Sequence, residues 1–556
     1  MSGCSSFQIM TYCMKFSILT KLLFLSLVML AVSSVWANVP ATVQIDPDQC
    51  SPLPAPGGNL INVSTVEQLR NAIDNASAGD SILLADGVYD LDGVYLRIDV
   101  PNVSVRSQSG DREAVILDGN YITTEIFQIV ASDVTIADLT LREAYNHPIH
   151  VSTGTASHTL NTFLYNLHII NPGQQAIKIN PSTTGYYTDY GTIACSFIEL
   201  TDVGRTQIRD NCYTGGVDAH QSRGWVIRDN QIEGFWCDSG LAEHGIHFWR
   251  GCRDTLIERN VLMDNARGIG LGLVTDGSGR LYADDPCPSA DGYVDDFGGI
   301  IRNNFISSNN FDLFSSQYGF DCGICLWNAC NAQTLHNSIY SADPGNTFSS
   351  IEWRFPNTQA VIYNNLVNVE MRERDGALGE QSGNLTTAQA NWFIDASNGD
   401  LHLRSTAVEA IDQVSIPVGV SDDIDGEIRP IGMAPDVGAD EYGDPPPVAV
   451  TDLRVTQALT STQVITITLG WSPPTGALSQ TIRYAHVPIT AANWDHATLL
   501  TNDLTGNASS YTFAIPYSQG THYFAQKSYN IEGGWSALSN NAYWPSFEIY
   551  LSIILH

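Results

Sequence analysis

Positive charge is scarce in this chain. Its 26 lysines and arginines face 59 aspartates and glutamates, a formal net charge of −33. A surface this acidic repels nucleic acid and anionic membrane, which excludes both as partners. Long apolar runs are also missing after the first 37 residues, so no membrane span is predicted in the mature chain. Strong helix formers do not dominate. Gly, Asn, Asp, Thr and β-branched residues do, which favours strands joined by tight turns. The 556 residues, 43% of them hydrophobic, are enough for two or three globular domains.

The exception is the N-terminus. Lys15 and Lys21 precede the apolar run Leu22 to Val32, and Val35-Trp36-Ala37 offers small residues at a cleavage site. That order reads as a secretory signal peptide over residues 1–37, hence a secreted or cell-surface protein. Its removal takes away two lysines and no acids, which moves the net charge from −33 to −35. Nine cysteines remain: Cys50, Cys195, Cys212, Cys237, Cys252, Cys287, Cys322, Cys325 and Cys330. Disulfides are the default in an exported chain, and the odd count leaves at least one thiol unpaired within it. Cys322-x-x-Cys325 has the spacing of a redox or zinc pair, but no second such pair or nearby His pair completes a zinc site.

One short pattern recurs seven times between Ile149 and Arg354. The copies are Ile149-His150-Val151-Ser152, Ile177-Lys178-Ile179-Asn180, Val217-Asp218-Ala219-His220, Ile246-His247-Phe248-Trp249, Ile269-Gly270-Leu271-Gly272, Ile324-Cys325-Leu326-Trp327 and Ile351-Glu352-Trp353-Arg354. Each alternates apolar and other residues, so each reads as a strand with one buried and one exposed face. The starts are 28, 40, 29, 23, 55 and 27 residues apart. One strand per roughly 22–30 residues marks a solenoid whose coils stack. Stacking aligns the outward slots in two columns: His150, Lys178, Asp218, His247, Gly270, Cys325, Glu352, and Ser152, Asn180, His220, Trp249, Gly272, Trp327, Arg354.

Residues 38–62 are Pro-rich and non-periodic, a lead-in. Ser64 and Glu67 form a capping box, and Val66, Leu69, Ile73 and Ala76 follow at helical spacing. This short helix is placed to cover the open end of a solenoid running from 63 to 444. A second strand series ends each time in Asn: at Asn230, Asn260, Asn304 and Asn365. Repeated Asn at one corner predicts an asparagine ladder. Pro445-Pro446-Pro447 is a stiff linker. Residues 448–544 change to antiparallel alternation, with Trp471, Tyr484, Tyr523 and a Trp535-Ser536 turn, and predict a small β-sandwich. The apolar tail, 545–556, is too short to cross a membrane and is read as a final edge strand, with a sorting signal as the alternative.

The stretch from Ser64-Thr65-Val66-Glu67 through Asp80-Ser81-Ile82-Leu83-Leu84 to Val88-Tyr89-Asp90 resembles the first coil of the pectate-lyase-like right-handed parallel β-helix superfamily, in particular the branch of chondroitinase B and alginate lyases. The segment after the linker resembles a fibronectin type III domain. The resemblance implies an all-β chain: a right-handed parallel β-helix followed by an immunoglobulin-like sandwich. It also implies a polysaccharide partner and β-elimination on a uronate glycan, often with calcium, and makes Lys178 the base candidate.

On the columns, Lys178, Asp218, His220 and His247 are the catalytic candidates. Elimination needs charge relief on the carboxylate, a base and an acid; a lysine near other cations and a histidine can serve. His150, Asn180, Trp249, Arg250, Trp327 and Arg354 are the substrate-binding candidates, suited to stacking and carboxylate pairing. Gly270, Gly272, Cys325 and Trp327 are read as room and stacking surface for a bound chain. Ionisable residues are densest among Asp218, His220, Glu243, His244, His247, Arg250 and Arg253. The insertion between Leu271 and Ile300 offers Asp284, Asp285, Asp291, Asp295 and Asp296 as calcium candidates, without EF-hand spacing. A secreted polysaccharide lyase or related enzyme, monomeric, is the leading reading. A non-catalytic glycan-binding or adhesion rod, and a hydrolase or epimerase on the same fold, are the alternatives.

Overall fold

The computed structural model describes residues 50–209, 211–414, 419–443, 447–461, 463–491, 493–518, 520–530 and 534–546. The expected signal peptide, the first part of the lead-in (38–49), most of the Pro linker and most of the apolar tail lie outside them.

The chain winds through three long parallel sheets of fourteen, ten and ten strands, each coil adding one strand to each sheet. This is a parallel β-helix. The seven tetrads fall in one ten-stranded sheet, in the expected register. His150 pairs with Lys178, Lys178 with Asp218, Asp218 with His247, His247 with Gly270, Gly270 with Cys325, and Cys325 with Glu352. His220 pairs with Trp249 and Trp327 with Arg354. The inward residues Ile149, Ile177, Val217, Ile246, Ile269, Ile324 and Ile351 are fully buried in one continuous core. Each such side chain contributes about 1.5–3 kcal/mol of burial energy, so the stack holds whatever the outward slots carry.

The asparagine ladder is present and longer than expected. Nδ2 of Asn230 donates to Oδ1 of Asn260, and the chain of amides continues through Asn304, Asn337 and Asn365 to Asn384, each step at 2.9–3.0 Å. The left-handed backbone belongs to the residue before each rung: Asp229, Arg259, Asn303, His336, Asn364 and Gly383, with φ of 52–64°. The ladder Asn is thereby turned inward, where its amide replaces the hydrogen bonds that the corner breaks.

Two details at the N-terminus differ from expectation. The lead-in already holds the first rung, since Asn59–Val63 pairs in parallel with Asp80–Leu84. The capping helix spans Val66–Asp74 with Thr65, not Ser64, at its N-cap: Thr65 accepts from Gln68 N while Ser64 N donates to Gln68 Oε1. The box is shifted by one, and Leu69 and Ile73 are the helix's buried residues. At the other end, Ile424, Val437 and Ala439 pack with Phe305 and Leu366 of the coils. Arg429 is ion-paired with Glu441 in the interior there. C-terminal to these, antiparallel sheets of three and four strands share a core of Ile465, Ile467, Trp471, Ile482, Ile515 and Phe524.

Candidate functional site

The outward columns are aligned as the repeat predicts, but they are not open. Lys178 is 5% exposed, Asp218 1%, and His247 and Cys325 0%. The segments entering these rungs fold back over the sheet. Tyr213 comes from the longer connection ahead of the Asp218 strand, Glu243 and His244 from the connection ahead of His247. Alternation predicts direction from the sheet and is silent about what a long connection lays on top of it.

Four side chains meet at the first of these rungs. The Lys178 ammonium donates to Asp218 Oδ2, and Lys178 Nζ lies 3.2 Å from Tyr213 Oη and 3.2 Å from His220 Nε2. Asp218 Oδ1 accepts from Trp249 Nε1 at 2.8 Å and lies 3.4 Å from His220 Nε2. Trp249 stacks on His247, and Arg250 covers Trp249 at 4.6 Å. Tyr213, His220, Trp249 and Arg250 keep partial exposure, so this rung has an open side.

The charges are unequal. Burial raises the Asp218 carboxyl's pKa, but the Lys178 ammonium, followed by His220, more than reverses this and holds Asp218 well below the usual carboxylate range. Burial pulls Lys178 down, yet Asp218 and then Tyr213 outweigh it and the lysine sits above its ordinary value. The expectation of a lysine lowered by neighbouring cations is not met: its nearest charge is a carboxylate, which favours the ammonium form. His220 moves the other way. Burial lowers it, Asp218 opposes, and Lys178 and Arg250 add to the decrease. Near neutrality His220 is the uncharged imidazole of the group.

Other expected site residues lie apart from it. His150 links Glu125 Oε1 (2.8 Å) to Asn180 Oδ1 (2.6 Å) one rung before Lys178. Trp327 and Arg354 are four and five rungs beyond Lys178, roughly 19–24 Å at the usual strand spacing. Trp327 is 6% exposed and donates to Glu352 Oε1; Arg354 is paired with Asp375. The expectation of room and stacking surface on these rungs is also corrected. A Cβ on Gly270 would come within 2.6 Å of the His244 ring, and one on Gly272 within 2.0 Å of the Trp327 carbonyl oxygen. These glycines make space for the protein itself.

The acidic insertion does not gather as a calcium shell. Asp295 accepts from the backbone N–H groups of Arg250, Leu273 and Val274 and from the Tyr293 hydroxyl. Asp284 pairs with Arg253. Asp296 is wholly buried, and burial with Asp295 nearby pushes its pKa well up. Among the described residues, three groups bring three ligand atoms within 4.8 Å: Glu243, His244 and His247; His244, Cys322 and Cys325; and His402, Asp425 and Asp440. None includes Asp284, Asp285, Asp291, Asp295 or Asp296.

A third outward column went unread in the sequence. By register it holds Gln175, Gly215, Arg267, Cys322 and Ser349, two residues ahead of each tetrad. His244 stands two residues ahead of Ile246 in the same way. The signal was available. Gly216, Gly245, Gly268 and Gly323 precede four tetrads, and at each an added Cβ would strike a core Ile or Leu. Those glycines face inward beside their inward neighbour, so the residue before them faces out.

Described disulfides join Cys212 to Cys237, Cys287 to Cys330 and Cys322 to Cys325. Cys252 is a buried free thiol. Among the described residues no helix is long and apolar enough to cross a membrane.

No protein-family profile matches the chain, and no curated protein matches it. Solved structures do. An alginate lyase from Paenibacillus sp. str. FPU-7 aligns at 14% identity and TM-score 0.38, over 59% of this chain and 99% of that one. A double mutant of the tailspike protein of E. coli bacteriophage HK620 aligns at 11% identity and TM-score 0.40, over 84% and 92%. The polygalacturonase from Erwinia carotovora ssp. carotovora aligns at 12% identity and TM-score 0.29, over 61% and 97%.

Proposed function

We propose that this chain is an exported, carbohydrate-active β-helix protein that cleaves a uronate-containing polysaccharide by β-elimination. The observation that carries the reading is the convergence of Lys178, Tyr213 and His220 above the buried Asp218 carboxylate. An ammonium held charged beside a neutral imidazole and a phenol supplies the three functions elimination needs. Lys178 offsets the charge that builds on the uronate carboxyl group as the C5 proton leaves. His220, with its lowered pKa, takes that proton. The electron pair of the former C5–H bond forms the C4–C5 double bond, the C4–O4 pair leaves with the oxygen, and the Tyr213 hydroxyl protonates it. Asp218 touches no substrate and positions Lys178 and His220, and Lys178 in turn holds Tyr213. Trp249 and Arg250 supply an edge for a sugar ring and its carboxylate. His247, fully buried, acts behind this group rather than on substrate.

Hydrolysis needs two carboxylates about 5–10 Å apart. The outward pair Asp218 and Glu352 stands four rungs apart, and both are buried in internal pairs. We read the C-terminal sheets as a fibronectin type III-like spacer, the mature protein as monomeric, and export as the source of its disulfides.

The test is the near-ultraviolet absorbance of unsaturated uronate across a panel of acidic polysaccharides, with and without calcium. His220→Ala and Tyr213→Phe are expected to lower the rate about 10²–10⁴-fold. Absence of unsaturated product on every substrate would put the glycan-binding rod ahead.

A further inference from the structure

Two residue pairs with the same spacing, His244-x-x-His247 and Cys322-x-x-Cys325, are far apart in sequence and meet on the outward face of the tetrad sheet. Glu243, His244 and His247 hold three ligand atoms within 4.8 Å, and so do His244, Cys322 and Cys325. His244 belongs to both groups. It is 0% exposed, and neither ring nitrogen has a hydrogen-bond partner. An imidazole buried with both nitrogens unpartnered is costly and rare, because native interiors satisfy such groups.

His247, also 0% exposed, points the same way. Its Nε2 lies 3.2 Å from the Gly272 carbonyl oxygen. That oxygen only accepts, so Nε2 carries a proton, and in the neutral ring the lone pair sits on Nδ1. Nδ1 is 3.2 Å from Glu243 Oε2, yet the geometry is not that of a hydrogen bond and both atoms lack a partner. A lone pair and a carboxylate oxygen therefore face each other with no donor between them. A carbonyl holding the far nitrogen of a histidine is the arrangement that aims the near one at a metal. The intervening coil contributes Gly270, whose missing side chain leaves the space that the His244 ring occupies, and Arg267, which is paired with Asp321.

We infer that Glu243, His244, His247, Cys322 and Cys325 form a binding site for a divalent transition metal, with zinc the best fit. Imidazole and thiolate with one carboxylate is a zinc-class donor set, whereas calcium takes six to eight oxygens. With Cys322 and Cys325 joined as a disulfide, the ligands are Glu243, His244 and His247. On a newly made chain the two cysteines are thiols. Each gives up one proton on binding Zn²⁺, which requires neither oxidant nor reductant, and the metal then holds both sulfurs and the His244 imidazole. Metal and disulfide thus compete for the same sulfur atoms. This site is separate from the proposed eliminase group and stands if no lyase activity is found.

The purified full chain is tested with Zn²⁺ and Co²⁺, with and without a phosphine reductant. About one metal per chain is expected, and reduction should raise affinity at least ~10-fold. A thiolate-to-cobalt charge-transfer band should appear in the reduced form alone. Cys322→Ser with Cys325→Ser should abolish that gain and the band, which separates these sulfurs from those of the other disulfides. His244→Ala should weaken binding in both forms by ~10–100-fold. Should it fail to fold, zinc protection of reduced Cys322 and Cys325 from alkylation in the unaltered chain decides. No bound metal in either form, no such protection, or unchanged affinity in a folded His244→Ala protein would overturn the inference.

Discussion

Asp218→Asn keeps the shape of a side chain that is 1% exposed and removes its charge. In the parent protein one carboxylate oxygen accepts from the Lys178 ammonium and the other from Trp249 Nε1. The amide has a single acceptor oxygen, so one of these donors loses its partner. Lys178 is itself 5% exposed, and breaking a buried ion pair from one side typically costs about 3–5 kcal/mol. Tyr213 and His220 remain beside the ammonium, which places the expected loss at about 3 kcal/mol near neutral pH. The pH dependence is the sharper signature. In the parent the folded pKa of Lys178 is raised. Its pairing energy is therefore fully present below the unfolded value of about 10.4 and is lost only as pH rises through the folded one. In the variant, burial is no longer outweighed and the folded pKa falls below about 10.4. The fold then favours the neutral amine, so stability should rise with pH up to that value. Urea unfolding followed by tryptophan fluorescence, at about pH 6 and about pH 9, measures both effects. Lys178→Met and the double variant complete the cycle, and the double should lose less than the two singles together. A loss under about 1 kcal/mol, or the same loss at both pH values, would falsify the assignment of Asp218 as the charge partner of Lys178.

Asn304→Ala removes three donated and two accepted hydrogen bonds at the middle of the ladder. Denaturant unfolding should show a loss of about 3–5 kcal/mol, against under 1 kcal/mol for an exposed Asn on the same coils. Burial raises Asp423 and Asp436 to about 7. A carboxyl whose folded pKa exceeds its unfolded value of about 3.9 stabilises the fold below that value, and the contribution is lost as pH rises through the folded one. Hydrogen exchange, corrected for its intrinsic pH dependence, should therefore show the segment around Val437 loosening from pH ~5 to pH ~8, and Asp423→Asn should flatten the change. Gly270→Val forces a branched side chain into the His244 ring and should cost about 1–3 kcal/mol in thermal or urea unfolding.

The register of the tetrad sheet was legible because its cause is local. An inward Ile or Val every coil sets which residues face out, and His150, Lys178, Asp218 and His247 came out side by side as counted. The asparagine corner was legible for the same reason, although Asn337 and Asn384 were not read as rungs because their flanking strands do not repeat the pattern. What the sequence hid lies in the long connections. Tyr213 completes the Lys178 group from a segment with no period of its own. Trp327 was read as a sugar platform and proves to be packed beneath Arg267 and His244. The sign of Lys178 was misjudged because pKa depends on which neighbour is nearest, and the columns give order along the stack but not side-chain direction.

Burial divides the outward face into two functions that the sequence shows as one cluster. Tyr213, His220, Trp249 and Arg250 retain access to solvent, while His244, His247, Cys322 and Cys325 are covered on the following rungs and Glu243 is half-buried. Asp218 stands at the boundary, with Lys178 on one side and His247 Nδ1 at 3.9 Å on the other. A cation held by His247 would compete with Lys178 for the same carboxylate and lower the lysine's pKa toward the range where it can accept a proton. The two sites are coupled by this single residue. Zinc should shift any pH optimum of elimination in the parent protein, and the shift should vanish in Asp218→Asn while zinc binding persists. A zinc effect on the pH profile that survives that substitution would mean that the coupling runs by another route.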